Sequence, residues 1–211
     1  LSSSTLDNNS APQRHPSKRQ AILATALELF VSQGFHGSST AQIARQAGVA
    51  TGTLFHHFAS KEVLMNELFL SIKQEFAEDI LLALQQIEQG AGNKQPQSLK
   101  AAAHTLWSRA IDWAIANPIK QRFFLIYSMS PELSLAVREH AMHSILGFIS
   151  NLLTQGQHNG EIAPFPIALM LENCNGQYLA SISFFTDHPQ LGQDSDYRAA
   201  SFELFWRSIK A

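Results

Sequence analysis

Five side chains within an eleven-residue stretch carry most of the chemistry that this sequence offers: Thr51, Thr53, His56, His57 and Lys61. Hydroxyls and imidazoles can donate to phosphate oxygens and to the edges of bases, and an ammonium is a point charge suited to phosphate. Four of the five lie in a short helical run, GTLFHHF, from about Thr51 to Phe58, with Thr51 as the expected N-cap. Gly52 removes a side chain where another backbone can come close. Lys61 opens the following helix, whose positive dipole end adds to its charge, and it is the natural phosphate clamp of the set. A metal at His56 and His57 is disfavoured, because neighbours on a helix point about 100° apart.

The elements that must hold these groups are legible on either side. Ser39 with Gln42 has the spacing of a capping box and starts a short helix to about Ala47. Gly48-Val49-Ala50 then makes a tight turn into the second short helix. Two short helices joined by a Gly-containing turn describe a helix-turn-helix, spanning about residues 39–58. Ile43, Ala44, Ala47, Val49, Leu54 and Phe58 would form its small core, and the second helix would offer its N-terminal side chains to a DNA major groove. An earlier helix begins near Ser17, buries Ile22, Ala26, Leu29 and Phe30 on one face, and stops at Gly34. Ser60 caps a long helix that runs to about Gln89.

The rest of the chain reads as helix as well. Ser98 to Ala116, Pro118 to Ser128, Pro131 to Gln155, Pro166 to Thr186 and a last helix ending at Lys210 bring the expected total to about nine, with no convincing strand. The fold class is all-α: an N-terminal three-helix helix-turn-helix domain and a larger C-terminal helical domain. Residues 1–15 are expected to be a solvated tail and 90–97 a loop. With 45% apolar residues among 211, whole-chain disorder is excluded. No apolar run approaches a membrane span, residues 1–20 lack the apolar stretch of a secretory signal, and the lone Cys174 cannot form an internal disulfide, so a reducing, cytoplasmic setting is expected. Up to Lys61 five basic residues face two acidic ones, while the remainder holds ten basic and fifteen acidic, a segregation that points one end at a polyanion.

The run from Thr40 to Phe69, TAQIARQAGVATGTLFHHFASKEVLMNELF, resembles the N-terminal domain of the TetR family of bacterial transcriptional regulators. The matching positions are Thr40, Ile43-Ala44, Ala47-Gly48-Val49, Gly52-Thr53-Leu54-Phe55, His57-Phe58, Ser60-Lys61-Glu62 and Leu64, and the likeness extends over about residues 16–76. The resemblance implies a homodimer, usually a repressor, that binds a near-palindromic operator and is released by a small-molecule effector. It implies a reader at 16–62 and an effector-binding and dimerisation domain at 63–211. By the same resemblance Thr40, Thr53, His57 and Lys61 would touch the DNA backbone, and Thr51, Gly52 and His56 would lie nearest base edges. Phe55 stands where the family usually has Tyr, so a phosphate contact by that hydroxyl is absent, and Ala50 stands where Ser is common.

The C-terminal half is less specific. Trp107, Phe124, Tyr127 and Phe148, with His104 and His143 as polar anchors, could line an apolar effector pocket, or could simply be core. Gly176, Ala180, Phe184, Phe202 and Trp206 on the last two helices suit a four-helix dimer interface, and intramolecular core fits them equally. Glu139, His140 and His143 share helix faces in pairs, but a metal site would need further ligands from another helix, so neither metal nor cofactor is expected. No catalytic constellation is present, and an enzyme is not expected. The competing reading is an all-α small-molecule-binding protein or enzyme that does not bind DNA.

Overall fold

The computed structural model describes residues 17–90 and 98–211, so the expected tail and most of the 90–97 loop lie outside the described residues. Ten α-helices order the described chain: α1 (Lys18–Gly37), α2 (Thr40–Gln46), α3 (Thr51–His57), α4 (Lys61–Gly90), α5 (Leu99–Ala116), α6 (Pro118–Tyr127), α7 (Leu135–Glu139), α8 (Gly147–His158), α9 (Ile167–Asp187) and α10 (Ser195–Ile209). There is no strand among them beyond an isolated bridge between Ile162 and Lys210.

Local chemistry explains most boundaries. Ser17 and Gln20 form a reciprocal capping box at the start of α1, with the Gln20 amide donating to Ser17 Oγ at 3.2 Å and the Ser17 amide to Gln20 Oε1 at 2.9 Å. At Ser39 only half of the expected box exists. Its hydroxyl accepts from the Gln42 amide at 3.1 Å, but the Gln42 side chain donates to Gln33 of α1 instead. Gly34 breaks the α1 ladder with φ 75, so the helical geometry ends where expected and one irregular turn continues to Gly37.

The stretch expected as one helix from Pro131 is three pieces. Residues 128–134 stay a turn, because the Ser130 hydroxyl bonds to the Glu132 carboxylate and Arg138 donates to the Ser128 carbonyl at 3.2 Å. Ser134 supplies the true cap, accepting from the Val137 amide at 3.3 Å. A π-helical segment, His140–Ile145, then separates α7 from α8.

The 30-residue α4 is the spine, roughly 45 Å long at the usual rise per residue. Its first turns pack on α1, through Leu64, Met65 and Leu68, and its later turns on α5 and the π segment, through Ile72, Phe76 and Ile80. A two-pronged Arg109–Asp79 ion pair, at 2.7 and 2.6 Å, ties α5 to α4. The first four helices and the C-terminal bundle therefore share one continuous apolar core, through which the small domain is mechanically joined to the large one.

Candidate functional site

The α2–α3 unit is built by its turn. Gly48 adopts φ 68, a conformation that an L side chain resists, and the Val49 amide reaches back to the Ala44 carbonyl at 2.9 Å. Ile43, Ala44, Leu54 and Phe58 are at most 1% exposed and fix the two helices against α1 and α4. The inner face of α3 is thereby spent on packing. Thr51, Gly52, Phe55 and His56 stand fully outward, while Thr53 and His57 are half-buried beside them. Thr40 opens α2, half-buried. The N-cap of α3 is Ala50, not Thr51; Ala50 has no side chain to cap with, and Thr51 is the first helical residue, its hydroxyl free of capping duty.

Lys61 differs from its expected role as a free clamp. Its ammonium donates to the Phe35 carbonyl at the end of α1 and lies 4.2 Å from the centre of the Phe35 ring and 5.7 Å from that of Phe30. Partial burial lowers its pKa, with nearby Glu132 pulling the other way. The ammonium thus fastens α4 to α1. Glu132 itself is held below the usual carboxylate range, first by the Ser130 hydroxyl, and it lies 3.4 Å from His36 of α1. The 128–134 turn consequently touches the reader on one side.

On its other side that turn borders, through Ser128 and Leu133, a small annex that adjoins a larger cavity at Lys73 and Met142. Helices α4, α5, α8, α9 and α10 and the π segment enclose an almost wholly apolar space of about 140 Å³. Trp107 and Phe148, two of the pocket candidates, line it, together with Phe76, Leu106, Met142 and Trp206. The remaining expected pocket residues lie elsewhere. Phe124 is buried under the ring cluster of Phe69 and Trp113, and the Tyr127 hydroxyl donates to Asn66 at 3.0 Å. His104 and His143 are exposed, His104 resting edge-on against Phe202. The π segment rotates the phase of the chain after residue 140, so that Met142 turns inward and His143 outward.

The residue that sequence reasoning missed is Lys73. It is 5% exposed, lines both the apolar cavity and an adjoining polar annex of about 30 Å³, and places its ammonium 4.7 Å from the centre of the Phe124 ring. The signal was available: Lys73 interrupts the apolar series Phe69, Phe76, Ile80 on the inner face of α4.

The expected interface residues divide. Gly176, Ala180 and Phe184 are exposed along one side of α9, with Leu169 before them, and Tyr197 and Leu204 are exposed on α10. Phe202 and Trp206 belong to the protomer's own core, 3% and 7% exposed and stacked on each other, because they share the inward phase of α10 with Ile209.

Comparison with known proteins agrees with this geometry. Residues 22–68 match the family model described as bacterial regulatory proteins, tetR family. The crystal structure of a tetR family transcription regulator from Shewanella sp. PV-4 superposes with TM-score 0.85 at 55% identity, covering 93% of this chain and 100% of that one. The fatty acid metabolism regulator protein of Bacillus subtilis is 29% identical over 151 residues, 71% of this chain and 73% of the relative. The transcriptional regulator FadR from Bacillus subtilis, solved in complex with stearoyl-CoA, shares the fold with TM-score 0.63 at 23% identity, over 88% of this chain and 96% of that one. The family match runs from α1 into α4, and the relative at 55% identity spans the small and the large helical domain together: the chain belongs to the TetR family of DNA-binding transcriptional regulators.

Proposed function

We propose that the protein is a homodimeric repressor, with a reader at residues 16–62 and an effector-binding and dimerisation domain at 63–211, released from a near-palindromic operator when an effector fills the internal cavity. The observation that carries this reading is the outward face of α3: Thr51, Gly52, Phe55 and His56 are exposed, while the opposite face is locked into the core by Leu54 and Phe58. Thr51, Gly52 and His56 are positioned to read base edges. Thr40, Thr53 and His57 flank them for backbone contacts, as does Lys61 through the donors that Phe35 leaves free. Phe55 adds apolar contact and, lacking a hydroxyl, no phosphate bond.

Effector and reader are coupled by the 128–134 turn. Ser128 and Leu133 border the annex beside Lys73, and Glu132 of the same turn faces His36 and Lys61 of the reader. An occupant that moves this turn biases α4 and the spacing of the two recognition helices, which must lie about one DNA turn, roughly 34 Å, apart to enter successive grooves. FadR's complex with stearoyl-CoA supports an amphipathic effector for a cavity this apolar.

The dimer interface is assigned to the exposed side of α9 with Tyr197 and Leu204 of α10. A Cβ at Gly176 would meet nothing within 4 Å inside the protomer, so Gly176→Leu tests the interface without disturbing the fold. The wild type should sediment as a dimer. The variant should sediment as a folded monomer and lose roughly 100-fold in affinity for a two-half-site operator, the usual scale of lost avidity. A variant that stays dimeric, or a monomer that binds the full site as tightly, contradicts the assignment.

A further inference from the structure

Lys73 is the one lysine that the described core encloses, and nothing in the reader's mechanism uses it. Its ammonium forms no hydrogen bond or ion pair with a described residue. Its neighbours are the faces of Phe124, at 4.7 Å, and Phe69, at 5.8 Å. An ammonium so little exposed, with ring faces as its described neighbours, is placed where an anion would complete it.

The surroundings specify that anion. On one side lies the apolar cavity of about 140 Å³, on the other the annex of about 30 Å³, and Lys73 borders both. The annex also holds Arg138, whose guanidinium donates to the Ser128 carbonyl at 3.2 Å, and Asn175. Glu172 is the acid that borders it, so an incoming anion meets two cations and one carboxylate. The annex, at about 30 Å³, has room for a small polar group of carboxylate size. The cavity is of the size known to take up a benzene ring, so it fits an apolar body of roughly six to eight carbons.

We propose that the effector is a free monocarboxylate with a short apolar body, its carboxylate seated in the annex against Lys73 and Arg138 and its hydrocarbon in the adjoining cavity. The proposal rests on the reading of this cavity as the effector site and narrows its ligand to a class. It also separates this chain from a regulator whose ligand is a CoA thioester, since a thioester brings no charge to Lys73.

Burial lowers Lys73 to about 8, Glu172 opposing, and a bound carboxylate raises it again. The other titratable groups around the site are Cys174 and Tyr178 on α9, the former pushed up to about 11 and the latter higher still by burial, and Arg138 on α7. From α5, α8 and α10 the cavity receives only apolar side chains and Trp107 and Trp206. Below the free pKa of Lys73 carboxylate affinity should be complete, and it should fall as pH rises beyond it.

The test is a titration of the purified full chain, without DNA, with octanoate, 1-octanol and octanoyl-CoA, read by the fluorescence of Trp107 and Trp206 and by calorimetry. Octanoate should bind at least about tenfold more tightly than octanol at pH 7, the usual worth of a charge-assisted bond. The preference should vanish in Lys73→Met, which keeps octanol binding, and should shrink in the wild type between pH 7 and 9.5. Equal binding of octanoate and octanol, tighter binding of octanoyl-CoA, octanoate affinity indifferent to pH, or no binding of any of the three overturns the proposal. Octanoate binding that leaves DNA affinity unchanged would uphold the site and overturn only its role as the effector site.

Discussion

Phe58→Ala should remove about 3–5 kcal/mol of stability and abolish specific DNA binding, the largest loss expected from any one side chain in the reader. The ring is fully buried at the end of α3, in a small core with Ile22, Ala26, Ile43 and Leu54, and the Arg19 guanidinium covers it 5.3 Å from its centre. The side chains in that core are themselves fully buried, so the cavity left behind closes only in part. Three residues earlier the same side-chain type has the opposite fate: Phe55 is 46% exposed. Phe55→Ala should therefore stay within about 0.5 kcal/mol of wild type, as exposed substitutions do, while weakening DNA binding through the outward face. Thermal or urea unfolding of the two variants decides the matter. A stable Phe58→Ala protein, or a Phe55→Ala protein that unfolds early, would mean that α3 faces the other way.

The second large effect has the opposite sign. Lys73→Met should stabilise the protein at pH 7 by roughly 3 kcal/mol, on the order of 6–12 °C in Tm for a chain of this size. Burial lowers Lys73 from 10.5 to about 8, with Glu172 offsetting part of the cost, and each unit of pKa corresponds to about 1.4 kcal/mol. Below pH 8 both folded and unfolded chains carry this proton, and the penalty is complete. Between about 8 and 10.5 the unfolded chain binds more protons than the folded one, so wild-type stability rises with pH. Above that range the penalty is gone. The advantage of the variant should thus shrink steadily as pH is raised from 7 to 10.5. Methionine suits the site because its thioether packs against the rings that now face the ammonium. Equal Tm values at pH 7, or a difference independent of pH, would show that Lys73 is solvated in the folded protein.

How much of this was legible in the chain depended on whether the signal was local. Ser39, Gly48 and Leu54 act within their own turn or helix, and the helix-turn-helix with its exposed face follows from them. The start of α5 follows in the same way from Ser98, which caps it. The errors came where a second arrangement competed. Thr51 looks like a cap, yet the helix starts one residue earlier than a cap at Thr51 requires, with Ala50 in that place. Ser130-Pro131 looks like a helix start, but Glu132 captures the Ser130 hydroxyl and Ser134 takes over the capping. The π segment adds a phase shift that no residue type announces, and His143 consequently leaves the pocket that it was expected to anchor. Phe202 and Trp206 were assigned by bulk; only their phase with Ile209, and the packing of Phe202 on His104, places them inside. Lys73 was overlooked because a charge on a long helix is ordinarily at the surface, and only the converging walls of α5, α9 and the π segment make this one interior.

That α3 reads a DNA sequence is checked by selecting random duplexes with the purified protein, stripped of bound ligand. One near-palindromic site should be enriched, with half-sites a helical turn apart, bound with an affinity that falls linearly in log–log form with salt. Thr51→Val and His56→Ala should relax its sequence preference, by about 1–3 kcal/mol at the bases they face. No enrichment by a folded, ligand-free dimer, or an enriched site whose preference is untouched by both substitutions, would contradict it.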